Sequence, residues 1–404
     1  MRDARAGRIA GFGTTIFTEM SALAAQHGAI NLGQGFPDFA GPQFIKDAAV
    51  AAIAADHNQY PPMPGWPRLR QAVAAQWQRD HGRELDWQTE VTVTSGCTEA
   101  LFGLALALLE PGDGAIVIEP AYDSYIPSIT MAGGVPIVVT LHPPTATHPA
   151  WSLDEDELRA AFARSPKLIL VNTPHNPTGK VFARAELELI AELCREYDVL
   201  ALCDEVYDRL VFDDAAHVSL AELPSMWERS LSLNSIGKTF SVTGWKVGWA
   251  VGPAQLNHAL RMVHQWATFT TATPLQDASA AALEHAAATS YYAELRAEYA
   301  ARRELLRQAL DHAGLPVLPS DGSFFLSADI AALGYTDDRA FCRALTTEIG
   351  VAAIPTSAFY SDQGRAAKLA RFCFAKRHQT IERAAERLAR LRTHTLSDAA
   401  RRSH

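Results

Sequence analysis

The sequence predicts an α/β protein built on a largely parallel β-sheet, followed by a smaller α+β part. Short apolar runs bounded by turn residues recur along the chain, and they are rich in β-branched residues. They do not alternate apolar with polar residues, as expected of strands that are buried on both faces. Helical patterns lie between several of the runs, for example at 98–109 and 184–197. Such an alternation of strands and helices favours a parallel sheet.

Seven apolar runs are the predicted strands of the main sheet. From about Ser279 onward, long Ala/Glu/Arg-rich helical stretches dominate, and two further strand-like runs follow them. This change of pattern predicts a second, α+β domain. The expected domain limits are 1–44 for an N-terminal arm with part of the small domain, 45–280 for the large domain and 281–404 for the C-terminal small domain. The predicted strands lie at 91–94, 115–118, 136–141, 167–171, 199–203, 230–233 and 247–251 in the large domain, and at 323–328 and 369–374 in the small domain.

Composition narrows the possible partners and the cellular compartment. The chain has 404 residues and a formal net charge of −9, which argues against nucleic acid or an acidic membrane surface as a partner. No apolar run approaches the ~18 residues needed to span a bilayer. The five cysteines are scattered and form no Cys-x-x-Cys pair, so neither a metal site nor a disulfide framework is predicted. A reduced cytoplasm fits this cysteine usage best.

A turn of small residues joins the first predicted strand to a helix. Gly96 lets the backbone approach a ligand closely, and Cys97 and Thr98 follow it at the start of the helix. A helix N-terminus presents free backbone N–H groups and the positive end of the helix dipole, which suits a phosphate. The alternative is an ordinary turn between strand and helix, capped by Ser95 or Thr98.

Two further segments place polar residues at the ends of buried strands. Asn176 lies in the rigid loop Asn-Thr-Pro-His-Asn-Pro-Thr-Gly, at the strand end where α/β folds place ligands. Asp204 ends the next strand, with Tyr207 three residues later. A carboxylate on a buried strand needs a partner, and that partner is either a ligand cation or an arginine of the chain. A rigid connector is the alternative for the loop.

Two lysines and an arginine are the candidate cations of the site. Lys238 lies among small and hydroxyl residues after an apolar strand, and Lys246 follows it after Thr-Gly-Trp. A lysine in an apolar pocket beside another cation loses its proton near neutral pH and becomes a nucleophile. Arg371 lies in the apolar run Leu-Ala-Arg-Phe-Cys-Phe, and its planar fork suits a carboxylate. A structural ion pair is the alternative for Arg371.

The order of these motifs along the chain resembles the class I/II aminotransferases, which are pyridoxal-phosphate enzymes of fold type I. The resemblance also includes Gln-Gly-Phe-Pro-Asp-Phe at 34–39 and Gly-Lys-Thr-Phe-Ser-Val-Thr-Gly-Trp-Lys at 237–246. Within that family, the motifs are most similar to the kynurenine/glutamine and bacterial methionine aminotransferases. The resemblance implies a large domain with a mostly parallel seven-stranded sheet, a smaller α+β domain and pyridoxal 5′-phosphate as the cofactor.

The resemblance also implies roles for the residues that meet the cofactor ring. Lys238 would form the Schiff base with the cofactor and then move the substrate's α-proton as general base and acid. Asp204 would pair with the pyridine nitrogen. Tyr207 and Asn176 would hydrogen-bond the phenolic oxygen, and Tyr122 would stack on the ring face.

The same resemblance implies a phosphate site, a substrate site and a partner. Gly96, Cys97, Thr98, Ser235 and Lys246 would bind the phosphate of the same subunit. The site would belong to a homodimer with shared active sites, because Tyr60 would reach the phosphate of the neighbouring subunit. The residues implied for that contact and for the substrate are Tyr60 for the neighbour's phosphate, Arg371, Asn176 and Gly35 for the α-carboxylate, and Phe17 for the side-chain pocket.

The expected activity is transfer of an amino group from an L-amino acid to a 2-oxo acid. The segments 141–151 and 268–274 contain no arginine suited to a second carboxylate, so aspartate is not the expected substrate. Aromatic residues instead favour an apolar, sulfur-containing or aromatic side chain of the methionine, kynurenine or glutamine type. Two alternatives stay open: a cysteine-S-conjugate β-lyase, which would use the same residues, and a succinyldiaminopimelate-type aminotransferase.

Overall fold

The computed structural model describes residues 5–365, 368–393 and 396 of the chain. No helix within these residues has both the length and the apolar character needed to cross a membrane. The strands are β1 Ile30–Asn31, β2 Val91–Thr94, β3 Gly114–Glu119, β4 Val135–His142, β5 Ser152–Leu153, β6 Leu168–Asn172, β7 Leu200–Asp204, β8 Ser230–Ser235, β9 Gly248–Val251, β10 Phe325–Asp329, β11 Val351–Ala352, β12 Ile354–Pro355 and β13 Leu369–Cys373.

Helices separate most of these strands. The α-helices are α1 Gly7–Ala10, α2 Ile16–Gln26, α3 Gln43–Ala54, α4 Pro67–His81, α5 Cys97–Leu108, α6 Tyr125–Met131, α7 Glu155–Phe162, α8 Arg184–Glu196, α9 Ile236–Thr239, α10 Ala254–Ala267, α11 Thr273–Ala288, α12 Tyr291–His312, α13 Asp338–Ala344 and α14 His378–Leu388. Short 3₁₀ turns join several of them, and one π-helical turn, Leu345–Ile349, extends α13.

The main sheet has the strand order β2-β9-β8-β7-β6-β3-β4-β5 in the described part of the chain. Neighbouring strands from β8 through β7, β6 and β3 to β4 are parallel, whereas β9 is antiparallel to both β2 and β8. The predicted fold class and the seven predicted strands are confirmed. The two-residue strand β5 is an addition, because Ser152 and Leu153 form no apolar run that a sequence pattern could reveal.

The two faces of the sheet bury alternate residues of each strand. Val117 of β3 belongs to a core cluster with apolar residues of α5 and α10. Its neighbour Ile116 belongs to a second cluster with apolar residues of α7 and α8. Side chains alternate across a strand, so this division means that helices cover both faces. Burial on both faces explains why the strands appear in the sequence as short apolar runs without alternation.

A smaller antiparallel sheet, ordered β10-β13-β12, contains Arg371 at the middle of β13. Arg371 lies opposite Ser327 of β10 and Ile354 of β12, so it is flanked by strands on both sides. The two-residue strand β1 pairs in parallel with β11 and so joins the N-terminal segment to the C-terminal part of the chain. The domain limits 1–44, 45–280 and 281–404 stay a prediction.

The carboxyl ends of the parallel strands gather the polar residues at one edge of the main sheet. In the register of β6 with β7, Asn172 lies opposite Asp204. In the register of β7 with β8, Asp204 lies opposite Leu233, two residues before Ser235. Open α/β sheets bind ligands at this edge.

Close packing at Gly248 positions the start of helix α5. A Cβ atom added at Gly248 of β9 would lie 2.7 Å from the backbone nitrogen of Cys97 and 2.7 Å from the carbonyl carbon of Gly96. Neither contact involves a flexible side chain, so the turn before α5 would have to move. A glycine at this position therefore keeps the turn against the sheet.

We expect Gly248→Ala to lower the free energy of unfolding by ~1–3 kcal/mol, the range typical of overpacking. Gly244→Ala is the matched control, because a Cβ atom there meets nothing within 4 Å. Denaturant unfolding of both variants measures the difference. Equal stability of the two variants would show that the turn before α5 adjusts at no cost.

Candidate active site

A cavity of about 290 Å³ opens at the carboxyl ends of the parallel strands. Among the described residues, every site residue that was selected from the sequence lines this cavity except Tyr60. The lining residues that the sequence analysis selected are Phe17, Gly35, Gly96, Cys97, Thr98, Tyr122, Asn176, Asp204, Tyr207, Ser235, Lys238, Lys246 and Arg371. The fold therefore brings these residues together from distant parts of the chain.

Asp204 is a buried carboxylate held by neutral donors. The Tyr125 hydroxyl donates to its Oδ2 at 2.7 Å, the Cys97 thiol lies 3.8 Å from its Oδ1, and the backbone N–H of Val206 donates to Oδ1 at 3.4 Å. Burial raises the pKa of the Asp204 carboxyl, and these hydrogen bonds lower it in part. No described residue forms an ion pair with it, so the arginine partner allowed by the sequence is not found. Its charge is available to a ligand cation.

The loop after β6 is fixed by two asparagines. The Asn172 side chain donates from Nδ2 to the backbone oxygen of Asp204 at 2.8 Å. Its Oδ1 accepts a hydrogen bond from the backbone N–H of Asn176 at 2.7 Å. These bonds place the Asn176 side chain in the cavity, where its Oδ1 accepts from Nη1 of Arg371 at 2.9 Å.

Arg371 is a buried guanidinium that forms no ion pair with the residues that the structure describes. Besides its bond to Asn176, it donates from Nη2 to the backbone oxygen of Gly33 at 2.8 Å. Its Nε has no hydrogen-bond partner among the described residues. Burial lowers the pKa of Arg371 to about 10, so the group stays charged at neutral pH. The structural ion pair considered for Arg371 is absent from the part of the chain that the structure describes.

Aromatic rings surround the guanidinium of Arg371. Its central carbon lies 4.0 Å from the ring centre of Phe325, 4.9 Å from that of Phe359 and 5.1 Å from that of Phe17. Phe17 and Phe359 also pack edge to face, with ring centres 5.8 Å apart. Rings attract a cation through their quadrupoles, so these contacts stabilise the charge while leaving its unbonded edge free for an anion.

Lys238 lies on the short helix α9, directly after strand β8. Its Nζ donates weakly to the backbone oxygen of Gly35 at 3.4 Å, and it lies 5.2 Å from the ring centre of Phe324 and 5.5 Å from that of Tyr207. Burial lowers the pKa of Lys238 to about 8, and the charge of Asp204 raises it in part. About a tenth of such lysines are unprotonated at pH 7, which suits a nucleophile or a base.

The turn before helix α5 forms a cradle at the floor of the cavity. Gly96 has a φ of +80°, and an added Cβ atom would lie 3.2 Å from Nζ of Lys246. No side chain caps the helix at Gly96, so neither Ser95 nor Thr98 acts as the cap considered from the sequence. The N–H of Ser95 is instead bonded to the Glu99 carboxylate. The first N–H groups of α5 and the Lys246 ammonium therefore form one anion-binding corner.

Tyr60 is not in the cavity of this chain. Its side chain is 82 % exposed, and its ring packs edge to face against Phe269 with ring centres 5.4 Å apart. The contact of Tyr60 with a neighbouring subunit stays a prediction.

Several residues of the cavity were not selected from the sequence. Tyr125 was not selected because its role depends on the tertiary contact with Asp204. Asn172 could have been selected from the sequence, since it lies four residues before Asn176 in the same strand-end motif. Asp123 and Gln34 line the cavity beside Arg371 and carry no motif of their own.

The family described as aminotransferase class I and II matches residues 27–388. The chain belongs to this family. Its fold is that of the fold type I aminotransferases, its activity is that of an aminotransferase, and its cofactor is pyridoxal 5′-phosphate.

Curated relatives match almost the whole aminotransferase chain. It is 44 % identical over 390 residues to a probable N-succinyldiaminopimelate aminotransferase of Mycobacterium tuberculosis, with 95 % of this chain and 97 % of the relative covered. It is 41 % identical over 379 residues to the methionine aminotransferase of Escherichia coli, with 94 % and 96 % covered. A kynurenine–oxoglutarate transaminase of Dictyostelium discoideum is 39 % identical, with 94 % and 95 % covered.

Solved structures of an N-succinyldiaminopimelate aminotransferase and of a protein with a methionine aminotransferase function share this fold. The N-succinyldiaminopimelate aminotransferase of Mycobacterium tuberculosis superposes with a TM-score of 0.92 at 44 % identity, covering 96 % of this chain and 100 % of the other. An Escherichia coli protein with a methionine aminotransferase function gives 0.91 at 40 % identity, with 96 % and 99 % covered. The similar proteins thus agree on aminotransfer and differ in substrate.

The residues of the cavity fit the cofactor of this family. The buried Asp204 forms no ion pair with the described residues, and a protonated pyridine nitrogen would supply the missing partner. Lys238 carries a pKa of about 8, as an amine that condenses with an aldehyde requires. The uncapped start of α5 beside Lys246 suits a phosphate.

We expect the reactivity of Lys238 in protein stripped of cofactor to follow a pKa of about 8. Only the unprotonated amine reacts with an acylating reagent, so labelling of Lys238 should reach half its maximal rate near pH 8, below the 10.5 of an ordinary lysine. Peptide mass spectrometry against pH measures it. In Asp204→Asn the midpoint should fall further, because the carboxylate charge raises the lysine pKa. A midpoint near 10.5 would contradict the buried environment.

Proposed function

We propose that this aminotransferase moves the amino group of an L-amino acid with an apolar, sulfur-containing or aromatic side chain to a 2-oxo acid. The observation that carries the proposal is the charge content of the cavity. Among its described lining residues, the cations are Lys238, Lys246 and Arg371, and each is matched to the cofactor or the α-carboxylate. No cation is left for a second carboxylate, and the rings of Phe17, Tyr122 and Phe325 present apolar surface instead.

Arg371 binds the substrate's α-carboxylate in this proposal. The unbonded edge of its guanidinium and the Asn176 side chain beside it supply hydrogen-bond donors, and Gly35 allows close approach. A Cβ atom added at Gly35 would lie 2.9 Å from the Phe325 ring, so only glycine fits between the loop and that ring. A charged, planar donor pair recognises a carboxylate with defined orientation.

In this proposal, Asp204 controls the protonation of the cofactor ring and Lys238 transfers the substrate's proton. When bound, pyridoxal phosphate acts as an electron sink for the bonds at the substrate's α-carbon. Asp204, fixed by Tyr125 and Cys97, keeps the ring nitrogen protonated. Nζ of Lys238 would take up and return the substrate's α-proton as general base and then acid. Its pKa of about 8 keeps both protonation states populated at physiological pH.

The remaining lining residues hold the cofactor in place. Cys97 and Thr98 donate backbone N–H groups to the phosphate, and Ser235 and Lys246 add a hydroxyl and a charge. Gly96 is the position where the backbone approaches closely enough for these contacts. These assignments are supported by the uncapped start of α5 and by the position of the Lys246 ammonium.

Tyr122 and Tyr207 flank the cofactor ring in this proposal. Both line the cavity, and burial raises the pKa of Tyr122 to about 12, so its hydroxyl stays protonated and can donate a hydrogen bond. Tyr207 packs edge to face against Phe324, with ring centres 5.1 Å apart, which fixes its ring. Tyr122 stacks on one face of the ring, and Tyr207 with Asn176 bonds its phenolic oxygen.

We propose a homodimer in which Tyr60 reaches the phosphate of the neighbouring subunit. The support is its position: the side chain is 82 % exposed, and its arm is tied to the start of α11 by the Thr273 hydroxyl, which donates to the backbone oxygen of Gln59 at 2.6 Å. A cytoplasmic location also stays a prediction; the described cysteines are all buried and unpaired.

A succinyldiaminopimelate substrate is a second candidate, favoured by the 44 % identity to the Mycobacterium tuberculosis relative. A cysteine-S-conjugate β-lyase is a third, because the same buried lysine, aspartate and arginine serve elimination at Cβ. Elimination releases pyruvate and ammonia without any oxo-acid acceptor, so the products separate the lyase from the aminotransferase.

A panel of amino donors with one fixed 2-oxo acid tests the proposed substrate class. We expect methionine, kynurenine, glutamine and phenylalanine to exceed aspartate and glutamate in kcat/KM by at least about tenfold, since a buried unpaired carboxylate costs several kcal/mol. Highest activity with N-succinyl-diaminopimelate would assign the second candidate instead. Preference for aspartate would contradict the proposal.

We expect Arg371→Lys to lower kcat/KM for methionine by roughly 2–3 kcal/mol, or about 30- to 150-fold, because lysine keeps the charge but loses the two-pronged geometry. Reaction with the decarboxylated amine of methionine should change little. Arg365→Lys is the matched control, since Arg365 lies on the surface beside Glu157 at 3.2 Å. Equal losses with both substrates, or loss of the cofactor, would make Arg371 structural.

Subunit complementation tests the shared active site. Tyr60→Ala and Lys238→Ala proteins should each be inactive, and mixing them with verified subunit exchange should restore about one quarter of wild-type activity. Half of the dimers are then hybrids, and each hybrid has one intact site and one site with both lesions. No recovery after exchange would show that each site is built from one chain.

A further inference from the structure

Glu99 and His264 form a charged pair outside the cavity lining. Glu99 lies in the first turn of α5, the helix whose start forms the anion-binding corner, and His264 lies in the last turn of α10. Nδ1 of His264 is 2.7 Å from Oε1 of Glu99. The His264 side chain is fully buried, and that of Glu99 is 13 % exposed. Because neither residue lines the cavity, any effect on the cofactor must pass through the residues that the pair holds.

The Glu99 carboxylate fixes the turn that precedes α5. Its Oε2 accepts from the backbone N–H of Ser95, the residue directly before Gly96. Its Oε1 accepts from the Thr268 hydroxyl at 2.6 Å as well as from His264. Burial alone would raise the pKa of the Glu99 carboxyl, but the hydrogen bonds that it accepts outweigh burial and lower that pKa. Glu99 is therefore ionised at neutral pH and holds the turn as a charged acceptor.

His264 connects this carboxylate to the arm that carries Tyr60. Nε2 of His264 lies 3.2 Å from the backbone oxygen of Met63, three residues after Tyr60. A carbonyl oxygen can only accept, so Nε2 donates to it. The ionised Glu99 also only accepts, so Nδ1 donates as well. One imidazolium thus bonds the arm on one side and, through Glu99, the turn before α5 on the other.

The loop after α10, at 268–271, contacts the same two segments. The ring of Phe269 packs edge to face against that of Tyr60, with ring centres 5.4 Å apart. The Thr271 hydroxyl is hydrogen-bonded to that of Ser95. The arm, this loop and the turn before α5 therefore meet around one ion pair.

We propose that Glu99 and His264 are positioning residues for two phosphate sites, because they hold both the phosphate-binding turn of their own subunit and the arm that enters the neighbouring subunit. The inference rests on the proposed function, in which Tyr60 meets the neighbour's phosphate, and it deepens that function. Phosphate contacts are strongest when their donors are held in place before the ligand binds. The ion pair holds the two segments that carry those donors with one set of hydrogen bonds.

Pyridoxal, which lacks the phosphate, isolates the phosphate contacts. Absorbance titration of the full chain stripped of cofactor measures the dissociation constants of pyridoxal 5′-phosphate and of pyridoxal. We expect Glu99→Ala and His264→Ala to lower the preference for the phosphorylated compound by about tenfold or more, as loss of a charged hydrogen bond predicts. Affinity for pyridoxal should stay within about threefold of wild type. A merely structural pair would weaken the binding of both compounds alike.

Two variants serve as controls. Glu99→Gln should stay within about threefold of the wild-type preference, because its amide oxygen can accept from Ser95 while its amino group donates to Nδ1 of a neutral His264. His81→Ala is the matched control. His81 is likewise paired with a glutamate, Glu222, at 2.8 Å, but it lies at the end of α4 with a partner outside the arm and the turn before α5. Its preference should not change.

Hybrid dimers separate the two contacts of the pair. In the first hybrid, a Lys238→Ala subunit is joined to a His264→Ala subunit, so the site with the intact lysine has its own turn altered. In the second, a subunit with both substitutions is joined to a wild-type subunit, so the site with the intact lysine receives an altered arm. Two affinity tags purify each hybrid, and the absorbance of lysine-bound cofactor reports only the site with Lys238. Both hybrids should lose phosphate preference relative to the hybrid of Lys238→Ala with wild type.

The outcomes separate this inference from the proposed function. Equal binding of both compounds by wild type overturns the proposed phosphate site, and failure of the Tyr60→Ala complementation overturns the proposed shared site. An unchanged preference in folded Glu99→Ala and His264→Ala overturns the inference alone. A loss confined to the first hybrid, with successful complementation, also overturns it, as does a loss in Glu99→Gln equal to that in Glu99→Ala.

A double variant keeps the test decisive if a single variant does not fold. Removing one partner of a buried ion pair leaves the other charge unpaired, which is strongly destabilising. Glu99→Ala combined with His264→Ala leaves neither charge behind. It is then measured with both compounds, and an unchanged phosphate preference in this variant overturns the inference.

Discussion

The burial of Asp204 without a cation is the constraint around which the active site is arranged. A lone carboxylate in the interior is costly unless hydrogen bonds or an opposite charge compensate it. Among the described residues, its hydrogen-bond donors are neutral: Tyr125, Cys97 and the backbone of Val206. They orient the carboxylate while leaving its charge unpaired among the described residues. Folding therefore leaves a charge that the protonated ring nitrogen of the cofactor would pair with in the proposed function.

Arg371 carries the opposite charge under a similar constraint, on a different sheet. It is bonded to neutral acceptors and surrounded by rings, so its charge is likewise kept for a ligand. The loop from Asn172 to Asn176 connects the two groups: one asparagine bonds the backbone of Asp204, and the other bonds Arg371. This loop thus sets the spacing between Asp204 and Arg371.

The sequence predicted what depends on local pattern and motif order, and it missed what depends on tertiary contact. The strands were recognisable because burial on both faces demands continuous apolar runs, which the two residues of β5 do not form. Lys238, Asp204 and Arg371 were recognisable because each breaks an apolar or small-residue context. Tyr125 and Asp123 have no such signal, since a tyrosine and an aspartate at a loop and helix start are ordinary. Only the folded chain shows one bonded to Asp204 and the other lining the cavity.

Selectivity in such a cavity should be sharp against acids and shallow among neutral side chains. An apolar pocket distinguishes side chains that differ by one methylene by only about 1–3 kcal/mol. In the proposed function, the rings around Arg371 offer mainly apolar surface and would bind methionine-like and aromatic side chains with similar affinity. A second carboxylate in this cavity would lack a cation among the described lining residues, and that costs more than a methylene gains. Relatives with the same catalytic groups can therefore differ in their preferred neutral substrate through small changes of shape, while a charge in the pocket decides between classes of substrate.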